Sequence, residues 1–481
     1  MNLVEQIKSF MKDEKLVTGA ACNAVDFAIT KGILMRTSDR RDSSEVVQHA
    51  PFTLFPSPVP SHLMDQAKDV QKDFGFLMHV LSQDQDFLKS AYSSVLESDE
   101  FTKNLFDIYE KTRQEKPKKA ELALIRSDYM LHQPDQNTIS LKQIEVNMIA
   151  SSFNGIGTEK VTALHEYNLN SNGFKDFHDR MPENLALPNL ADGMLAAWNH
   201  YGQPNAVIVF IISDVEQNIF DQRTLEFKII EKNPDVRVRR YTLGEVADKG
   251  KLDSNSKLFI AGEEIAVAYY RAGYTPNDYL SQKEWDARRM LDCSDTINCP
   301  SAGHQLVGAK KMQEVLTQPG VLEKFIKGTD SLKRLRDTFV GFYGLEMGAE
   351  GDEAVAKVLK NPDNYVLKPQ LEGGGNNLYN QDLVDKLNEV GSDKRRCSYI
   401  IMEKVRPMPV STIIIRAGSG PQQFKPVEGV SELGIYGVFL ASGDKIIKNT
   451  CAGHLLRTKA SHHDDGGVAA GVAVLDSPLL V

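Results

Sequence analysis

The spacing of apolar residues changes along the chain, and each change predicts a different kind of structure. Up to about residue 115, apolar residues recur every three or four positions, for example in Ala67–Leu81 and Phe101–Ile108, which predicts amphipathic helices. The proline-rich segment Pro51–Pro60 interrupts this pattern and predicts an extended connector. We therefore expect a mainly helical N-terminal region.

From about residue 120 the pattern favours strands, first in ALIRSD and then in ISLKQIEVNMIA. In the second segment, apolar residues alternate with Gln143, Glu145 and Asn147. Because successive side chains of a strand point to opposite faces, these three polar residues are predicted to share one face.

A third pattern begins near residue 205. NAVIVFIIS is apolar throughout, as expected for a strand buried on both faces. The helical segment FDQRTLEFKIIEK and the strand-like VRVRRY and EIAVAYYR follow, which indicates a βαβ module at 206–308. Beyond it we predict helices near 310–317, 331–339 and 352–359, and strands at 364–368, 398–405, 411–416 and 434–440. The fold class predicted is α/β (α+β), with domains at 1–205, 206–308 and 309–481.

Composition narrows the class of protein. Of 481 residues, 41% are hydrophobic and 25% are charged, which is typical of a soluble globular protein. A net charge of −9 argues against nucleic acid or an anionic membrane as the main partner, and no apolar run is long enough to span a membrane. The five scattered cysteines favour reduced thiols, and the N-terminus lacks the pattern of a signal peptide, so we expect a cytoplasmic protein.

The segment KPQLEGGGNNLY carries the strongest chemical signal. Lys368 ends a short apolar run, Glu372 offers a carboxylate for Mg²⁺, and Gly373–Gly375 can turn backbone N–H groups towards an anion. A flexible turn is the alternative for three consecutive glycines. The segment is neither a Walker A loop nor a dinucleotide-binding fingerprint. Together its residues predict a nucleotide-phosphate site.

Other candidates are weaker when each is taken alone. Glu145 and Asn147 could join Glu372 as metal ligands, or they could form a solvated strand face. Arg126, Arg271 and Arg457 follow strand-like runs and could clamp carboxylates, although surface ion pairs are the alternative. Arg271 precedes a turn that we expect to expose its guanidinium. The run YIIMEKV could be the strand beside an adenine ring or simply a core strand, and His462 with His463 is interpreted as part of a loop.

Longer segments make the chain recognisable. They are SSEVVQHAPFTLFPSPVP, RSDYM, QIEVN, NIFDQR, KPQLEGGGNNLY, SELGIYGVF and GHLLRTKASHHDDGGVAAGVAVLD. Over nearly its whole length the chain resembles the eukaryotic glutathione synthetases, which are ATP-grasp ligases. The resemblance implies an ATP-grasp body with an inserted substrate domain and a helical N-terminal region. It also implies a homodimer that joins glycine to γ-glutamylcysteine, with Mg²⁺, while ATP becomes ADP and phosphate.

The resemblance assigns roles to matching residues. The metal ligands implied are Glu145, Asn147 and Glu372. The ATP site implied comprises Glu145, Lys310, Lys368, Gly373, Gly374, Gly375, Asn376, Asn377, Tyr379, Met402, Glu403, Lys404, Val405, Glu432, Lys459 and Asp465. The peptide-substrate site implied comprises Arg126, Ser151, Ser152, Glu216, Gln217, Asn218, Gln222, Arg271, Gly273, Tyr274, Arg457, Val468 and Ala469. The catalytic cations implied are Arg126, Lys310, Lys368 and Arg457.

Two positions depart from the family pattern. Ala150 replaces a serine found in many relatives, and Ala272 replaces an aspartate. Neither change removes a metal or phosphate ligand. The VAAG segment, Val468–Gly471, resembles the glycine-using enzymes rather than the plant variant that uses β-alanine. The glycine-rich segments 372–375 and 464–471 are the lids that the resemblance implies.

Two other functions remain open from the sequence. One is the same ligation with a different acceptor, as in a homoglutathione-type ligase. The other is a nucleotide-binding homologue that no longer catalyses ligation, although the presence of Glu145, Asn147, Glu372, Lys310 and Lys368 argues against decay of the site. A protein kinase is disfavoured because the chain has no HRD–DFG pair.

Overall fold

The computed structural model describes residues 2–115, 120–464 and 466–481. Its helices are α1 Leu3–Phe10, α2 Glu14–Thr30, α3 Ser61–Gln83, α4 Gln85–Tyr92, α5 Glu100–Glu115, α6 Glu159–Ser171, α7 Ala186–Tyr201, α8 Ile219–Lys232, α9 Leu243–Lys249, α10 Gln282–Cys293, α11 Ala302–Gly308, α12 Lys310–Thr317, α13 Val321–Phe325, α14 Thr329–Thr338, α15 Ala349–Lys360 and α16 Asn380–Val390. Short 3₁₀ helices lie at His178–Arg180, Pro276–Asp278, Pro362–Asn364, Lys394–Ser398 and Pro421–Gln423.

The strands of the described residues form several sheets. They are β1 Leu34–Arg36, β2 Val47–His49, β3 Phe52–Thr53, β4 Ser57–Val59, β5 Glu121–His132, β6 Ser140–Asn147, β7 Val207–Ile211, β8 Val238–Tyr241, β9 Gly250–Leu252, β10 Leu258–Ile260, β11 Glu263–Tyr270, β12 Ile297–Cys299, β13 Phe342–Gly344, β14 Tyr365–Pro369, β15 Tyr399–Glu403, β16 Pro409–Thr412, β17 Ile414–Ile415, β18 Val427–Ser442, β19 Lys445–Ala460, β20 Val474–Asp476 and β21 Pro478–Leu480. Helices and strands are thus mixed along the chain, and the predicted α/β class is confirmed.

The main sheet has eight strands in the order β17-β3-β20-β19-β18-β5-β6, with β16 paired to β18. Its centre is the long antiparallel hairpin of β18 and β19. Apolar side chains alternate along β18: Val438 packs into a core shared with α7, whereas Phe439 packs into a core shared with α3. The sheet is therefore covered by helices on both faces, and its polar residues concentrate near one end of β5, β6, β18 and β19.

A second sheet lies within the predicted 206–308 module. Strands β8, β7, β11 and β12 are parallel, and β10 and β9 extend the sheet antiparallel. The side chains of β7 alternate between two cores, with Phe210 in one and Val209 in the other. This strand is therefore buried on both faces, as its continuous apolar sequence predicts. The domain boundaries themselves stay a prediction.

A third, antiparallel sheet of β13, β15 and β14 lies against one end of the main sheet. One of its faces forms a small core with α15 and α16. On its other face, Met402 and Val405 pack with Met130 of β5 and Ile144 of β6. The cleft between this sheet and the main sheet holds the site described below.

A bulge in β6 corrects one prediction. Asp128 pairs with Glu145, but the next residue of β5, Tyr129, pairs with Gln143, so Ile144 is the extra residue. Glu145 and Asn147 share the face of Asp128, whereas Gln143 is turned to the opposite face and buried. The prediction that all three polar residues share one face is therefore wrong for Gln143.

The proline-rich segment is extended, as predicted, but it also takes part in the sheets. Its strand β3 pairs with β17 and β20, and β4 pairs with β21. The predicted strand 411–416 is divided into β16 and β17. Among the described residues, no helix has both the length and the apolar character needed to cross a membrane.

A buried carboxyl group in β20 should make stability depend on pH. Asp476 accepts hydrogen bonds from Ser57 Oγ at 2.6 Å and from the Ser477 N–H at 2.7 Å. Burial raises the pKa of Asp476 to about 6, although these hydrogen bonds act to lower it. The folded state therefore binds more protons than the unfolded state between pH ~4 and pH ~6, and the free energy of unfolding falls as the pH rises through this range.

We expect Asp476→Asn to remove this dependence, which amounts to at most about 3 kcal/mol. Urea unfolding of wild type and variant at pH 5 and pH 7 measures it. The difference in unfolding free energy between the two proteins should change across this interval. A constant difference would show that Asp476 does not titrate there.

Candidate active site

A cavity of about 330 Å³ lies where the third sheet meets β5, β6, β18 and β19. It is lined by Arg126, Ile144, Glu145, Asn147, Ile149, Ala150, Ser152, Phe153, Tyr274, Lys310, Lys368, Glu372, Gly373, Gly374, Asn377, Glu432, Arg457, Gly466, Gly467, Val468, Ala469 and Ala470. Four of these residues carry cationic side chains and three carry carboxylates. Such a lining suits a ligand with several negative charges and a bound metal ion.

A second cavity of about 270 Å³ adjoins the first. Ile144, Lys368, Asn377, Glu432 and Gly466 line both cavities. The walls of the second cavity that are not shared are Met130, Val366, Tyr379, Met402, Lys404, Val405, Pro407, Val430, Lys459, Ser461, His463 and Asp464. Apolar residues from β14 and β15 therefore face polar residues that follow β19, as a pocket for a planar base with attached phosphates requires.

Lys310 joins two carboxylates that the sequence places far apart. Its Nζ lies 3.2 Å from Glu145 Oε2 and 3.0 Å from Glu372 Oε2. Burial raises the pKa of Glu372, and the ammonium of Lys310 offsets only part of this. Burial also acts to raise the pKa of Glu145, but Lys310 and Lys368 outweigh it and hold that pKa below its usual range. A cation therefore already lies between these carboxylates, which indicates that the position suits positive charge.

The bulge in β6 has a direct role in this arrangement. Lys368 Nζ donates a hydrogen bond to the backbone carbonyl of Ile144 at 2.7 Å. Ile144 is the bulged residue, so the distortion of the strand brings this carbonyl to the lysine of β14. The bond fixes the ammonium at the boundary of the two cavities.

A buried carboxylate organises the arginines. Asp128 is fully buried, and its two oxygens accept from Arg126 Nε and Nη2, each at 2.7 Å. Arg457 Nη2 donates to Asp128 Oδ2 at 3.1 Å, and Asn147 Nδ2 donates to the same oxygen at 2.9 Å. Arg457 also forms an ion pair with Glu432. Asp128 therefore holds both arginines and the proposed metal ligand Asn147 in fixed positions.

The two glycine-rich segments meet over the cavity. Gly373 and Gly375 have φ values of +90° and +92°, a backbone conformation that favours glycine. A Cβ atom on Gly374 would lie 3.1 Å from the backbone nitrogen of Gly467. A side chain at Gly374 would therefore require the two segments to move slightly apart, and glycine permits their close approach.

Arg271 lies behind the first cavity and is buried, so the expected exposure of its guanidinium is wrong. It is only 5% exposed, and its Nη2 donates to Ser152 Oγ at 2.9 Å. Asp221 lies 3.5 Å from the same nitrogen and accepts from the N–H groups of Phe153 and Gly155 at 2.7 Å. The ion pair of Arg271 and Asp221 thus holds the 150–155 loop in place.

Four further predicted substrate residues, in the turn before α8 and in α8 itself, do not lie on the walls of either cavity. The carboxylate of Glu216 accepts from Gln222 Nε2 at 2.6 Å and from the N–H of Asn218 at 2.8 Å. Gln217 Nε2 donates to the backbone of Arg36 at 3.3 Å. Further residues without a place on either cavity wall are Ser151, Gly273, Gly375, Asn376 and Glu403.

Three of these five residues have contacts that bear on the site. Asn376 Nδ2 donates to the Gly373 carbonyl at 3.0 Å, which stabilises the glycine-rich loop. Ser151 Oγ donates to the Asn147 carbonyl at 3.2 Å. Gly273, whose carbonyl accepts from Gln305 Nε2 at 3.0 Å, precedes the wall residue Tyr274. Asp465 lies outside the described residues.

Sequence reasoning missed Asp128 and Asp221, whose roles depend on contacts across the fold. For Asp128 a signal was available, because it follows Arg126 by two positions on a strand and so shares its face. For Asp221 the sequence offered none, since its partners in the 153–156 loop are more than sixty residues away.

Comparison with known proteins identifies the family. A family model described as the ATP-binding domain of eukaryotic glutathione synthase matches residues 14–480. The chain belongs to the eukaryotic glutathione synthase family. It is therefore an ATP-dependent ligase, which confirms the resemblance drawn from the sequence motifs.

Named relatives of this glutathione synthase family cover almost the whole chain. Glutathione synthetase of Xenopus laevis is 45% identical over 471 residues, and that of Homo sapiens is 43% identical over 472 residues; each match covers 98% of both chains. Among solved structures, a glutathione synthetase-like effector from Globodera pallida matches with a TM-score of 0.78 and 25% identity, again over 98% of each chain. The predicted fold class agrees with this neighbour.

Proposed function

We propose that the chain ligates glycine to γ-glutamylcysteine, with conversion of ATP to ADP and phosphate, and that it is a glutathione synthetase. One observation carries the proposal: Lys310, Lys368, Glu145 and Glu372 meet Arg126 and Arg457 at one cavity, and a second cavity with apolar residues of β14 and β15 in its walls adjoins it. The first cavity suits the reacting carboxylate and the γ-phosphate. The second suits the adenosine part of ATP.

We assign Mg²⁺ to Glu145, Asn147 and Glu372. Their side chains offer oxygen donors, which Mg²⁺ prefers, and the ammonium of Lys310 now lies between the two carboxylates. Bound there, Mg²⁺ would reduce the negative charge of the ATP phosphates. The ion would also balance the charge of the two carboxylates, so Lys310 would be able to contact a phosphate oxygen.

The first chemical step brings two anions together. The cysteinyl carboxylate of γ-glutamylcysteine attacks the γ-phosphorus of ATP, the bond to the ADP oxygen breaks, and an acyl phosphate forms. We assign Arg126 and Arg457 to the attacking carboxylate and Lys368 to the charge on the transferred phosphoryl group. The rigid contacts of these side chains with Asp128 and the Ile144 carbonyl reduce the reorganisation needed.

In the second step the amino group of glycine attacks the acyl carbon, and phosphate leaves with the bonding electrons. An acyl phosphate also reacts with water, so the site has to exclude solvent. We propose that the segments 372–375 and 464–471 close together over the intermediate. The close approach of Gly374 to Gly467 supports this role.

The acceptor is proposed to bind beside Val468, Ala469 and Ala470, which line the first cavity. Their small side chains leave room beside the cavity for an incoming amino acid. We expect Ala469→Leu to raise the KM for glycine about tenfold or more, because the added methylenes occupy the acceptor position. The KM for ATP should change by less than twofold, and steady-state kinetics with each substrate varied in turn measures both.

Equal increases in the two KM values would show a general disturbance of the lid. An unchanged KM for glycine would place the acceptor elsewhere. Val472→Ala, directly after the same segment and off both cavity walls, serves as the matched control.

We further propose that the protein is a homodimer in the cytoplasm. All five cysteines are free thiols, as expected in a reducing compartment. Light scattering during gel filtration measures the oligomeric state, and a monomer at micromolar concentration would contradict the first part. Imaging of a tagged chain in cells tests the second.

The deciding experiment follows phosphate release from Mg·ATP and γ-glutamylcysteine, with glycine, with β-alanine and with no acceptor. We expect release to require glycine and to match the glutathione that appears, as measured by mass spectrometry. Preference for β-alanine would assign the chain to the homoglutathione type. Binding of ATP without release under any condition would support a homologue that has lost catalysis.

A further inference from the structure

A second polar cluster lies in the core beneath the main sheet, away from both cavities. It consists of His79 in α3, Glu121 at the start of β5 and His304 in α11. One nitrogen from each histidine and one carboxylate oxygen all lie within 4.8 Å of one another. The exposed fractions of the three residues are 8%, 4% and 0%, so the cluster is buried.

Hydrogen bonding within the cluster leaves one histidine incompletely paired. His79 Nδ1 and His304 Nε2 are 3.2 Å apart and share a hydrogen bond. The other ring nitrogen of His304, Nδ1, is buried and has no hydrogen-bond partner among the described residues. A neutral imidazole has one N–H and one lone pair, so a ring that binds an ion through Nε2 carries its proton on Nδ1, and Nδ1 of His304 is not itself a candidate ligand.

Both rings are in the form that binds metals. Burial lowers the pKa of His304 to about 4 and also lowers the pKa of His79. At neutral pH each therefore carries a lone pair available to a cation. Glu121 supplies a negative charge and is held in place by Gln83 Nε2, which donates to its Oε2 at 2.7 Å. Arg113 lies 3.6 Å from the same oxygen, and its positive charge opposes a cation.

The distances fit a small tetrahedral ion. Two nitrogens that each lie about 2.0–2.1 Å from a tetrahedral Zn²⁺ are separated by roughly 3.3 Å. The observed separation of 3.2 Å between His79 Nδ1 and His304 Nε2 is close to this value. Two imidazoles and one carboxylate are a ligand set that zinc commonly uses, with water in the fourth position. Mg²⁺ and Ca²⁺ prefer sites made of oxygen donors.

From this geometry we propose that His79, Glu121 and His304 form a structural Zn²⁺ site that is separate from the Mg²⁺ and ATP site. The ion would join α3, β5 and α11 at one point. A fixed position of α11 matters for catalysis because this helix ends just before Lys310. The same helix carries Gln305, whose Nε2 holds the Gly273 carbonyl. The site would thus fix a catalytic lysine and a substrate loop from behind.

Metal content of the intact protein gives the first test. The chain is produced in medium supplemented with Zn²⁺, passed through gel filtration in buffer containing Mg²⁺, and analysed by plasma mass spectrometry. We expect about one Zn²⁺ per chain in the wild type, with loss of most of it in His304→Gln and Glu121→Gln. X-ray absorption at the zinc edge should show two imidazole nitrogens and one or two oxygen ligands.

The control is His454→Gln. His454 is a buried histidine with a lowered pKa and no hydrogen-bond partner for either side-chain nitrogen among the described residues, but it lies outside the cluster. This variant should keep its zinc. Wild-type protein without zinc would overturn the proposal. Zinc that persists in His304→Gln but is lost in a His462→Ala, His463→Ala double variant would also overturn it, because the metal would then belong to that exposed pair.

A purely structural role for the three side chains predicts a different result. Their substitution would then lower the Tm whether or not zinc is present. If the cluster binds zinc, prolonged incubation with a chelator should lower the Tm of the wild type towards that of His304→Gln and leave the variant unchanged. If the variants fail to fold, the metal content and absorption spectrum of the wild type still decide the matter.

Discussion

Glu372→Gln is expected to lower kcat on the order of 10²–10³-fold while the protein remains folded. The substitution replaces a carboxylate that we assign to Mg²⁺ by a neutral amide of the same shape. It also leaves Lys310 with Glu145 alone, so the remaining ion pair should tighten and hold the lysine away from the phosphate. Phosphate release at increasing Mg²⁺ concentration measures the effect, and high Mg²⁺ should restore only part of the rate.

Glu314→Gln provides a matched control for this variant. Glu314 is also buried and pairs with a lysine, Lys311, which follows Lys310 in α12. It lines neither cavity, so its loss should reduce stability and leave kcat within a few fold of the wild type. Equal activity of wild type and Glu372→Gln at saturating Mg²⁺ would remove Glu372 from the metal site.

Much of the fold could be predicted because local sequence and final structure agree. The continuous apolar run of β7 is buried on both faces, and the helical spacing at Ala67–Leu81 lies within α3. The strand end at Lys368 and the glycines after Glu372 likewise have the places that their residue types favour. In each case a few neighbouring residues carry the whole signal.

What could not be predicted depends on contacts between distant segments. Gln143 follows the alternating pattern in the sequence, yet the bulge at Ile144 turns it to the opposite face. The bulge is explained by Lys368, which lies more than two hundred residues away and donates a hydrogen bond to the carbonyl of Ile144. Arg271 is buried in contact with Ser152 and Asp221, and no local sequence pattern indicates these contacts.

In the candidate site, too, some residues could be predicted from the sequence and others depend on contacts between distant segments. The resemblance to a known family supplied the residues that we assign to the ligands, since these lie in recognisable motifs. It did not supply the residues that hold them in place, such as Asp128. A carboxylate between two arginines has no motif of its own, and its importance follows from burial and from the number of donors it satisfies.

Asp128→Asn is therefore expected to have a large effect although the residue lines no cavity wall. The amide loses the charge that both arginines share, and it has only one oxygen to accept where the carboxylate has two. Arg126 and Arg457 should then turn towards Glu145 and Glu432 or compete for water. We expect kcat/KM for γ-glutamylcysteine to fall about 10²-fold, with a smaller change in the KM for ATP.

Removing one partner from a buried ionic network should also lower the free energy of unfolding by about 3–5 kcal/mol.

The variant Asp292→Asn is the control that separates this loss of stability from the loss of arginine positioning. Asp292 is 2% exposed and accepts from the fully buried Arg288 at 2.6 Å, so the pair matches Arg126–Asp128 in burial but not in location. Both variants should be destabilised, and at a temperature where both are folded Asp128→Asn should raise the KM for the peptide far more than Asp292→Asn does. A similar loss of kcat/KM in the two variants would mean that Asp128 acts through stability alone. A normal KM for γ-glutamylcysteine in Asp128→Asn would show that the arginines reach the substrate without its help.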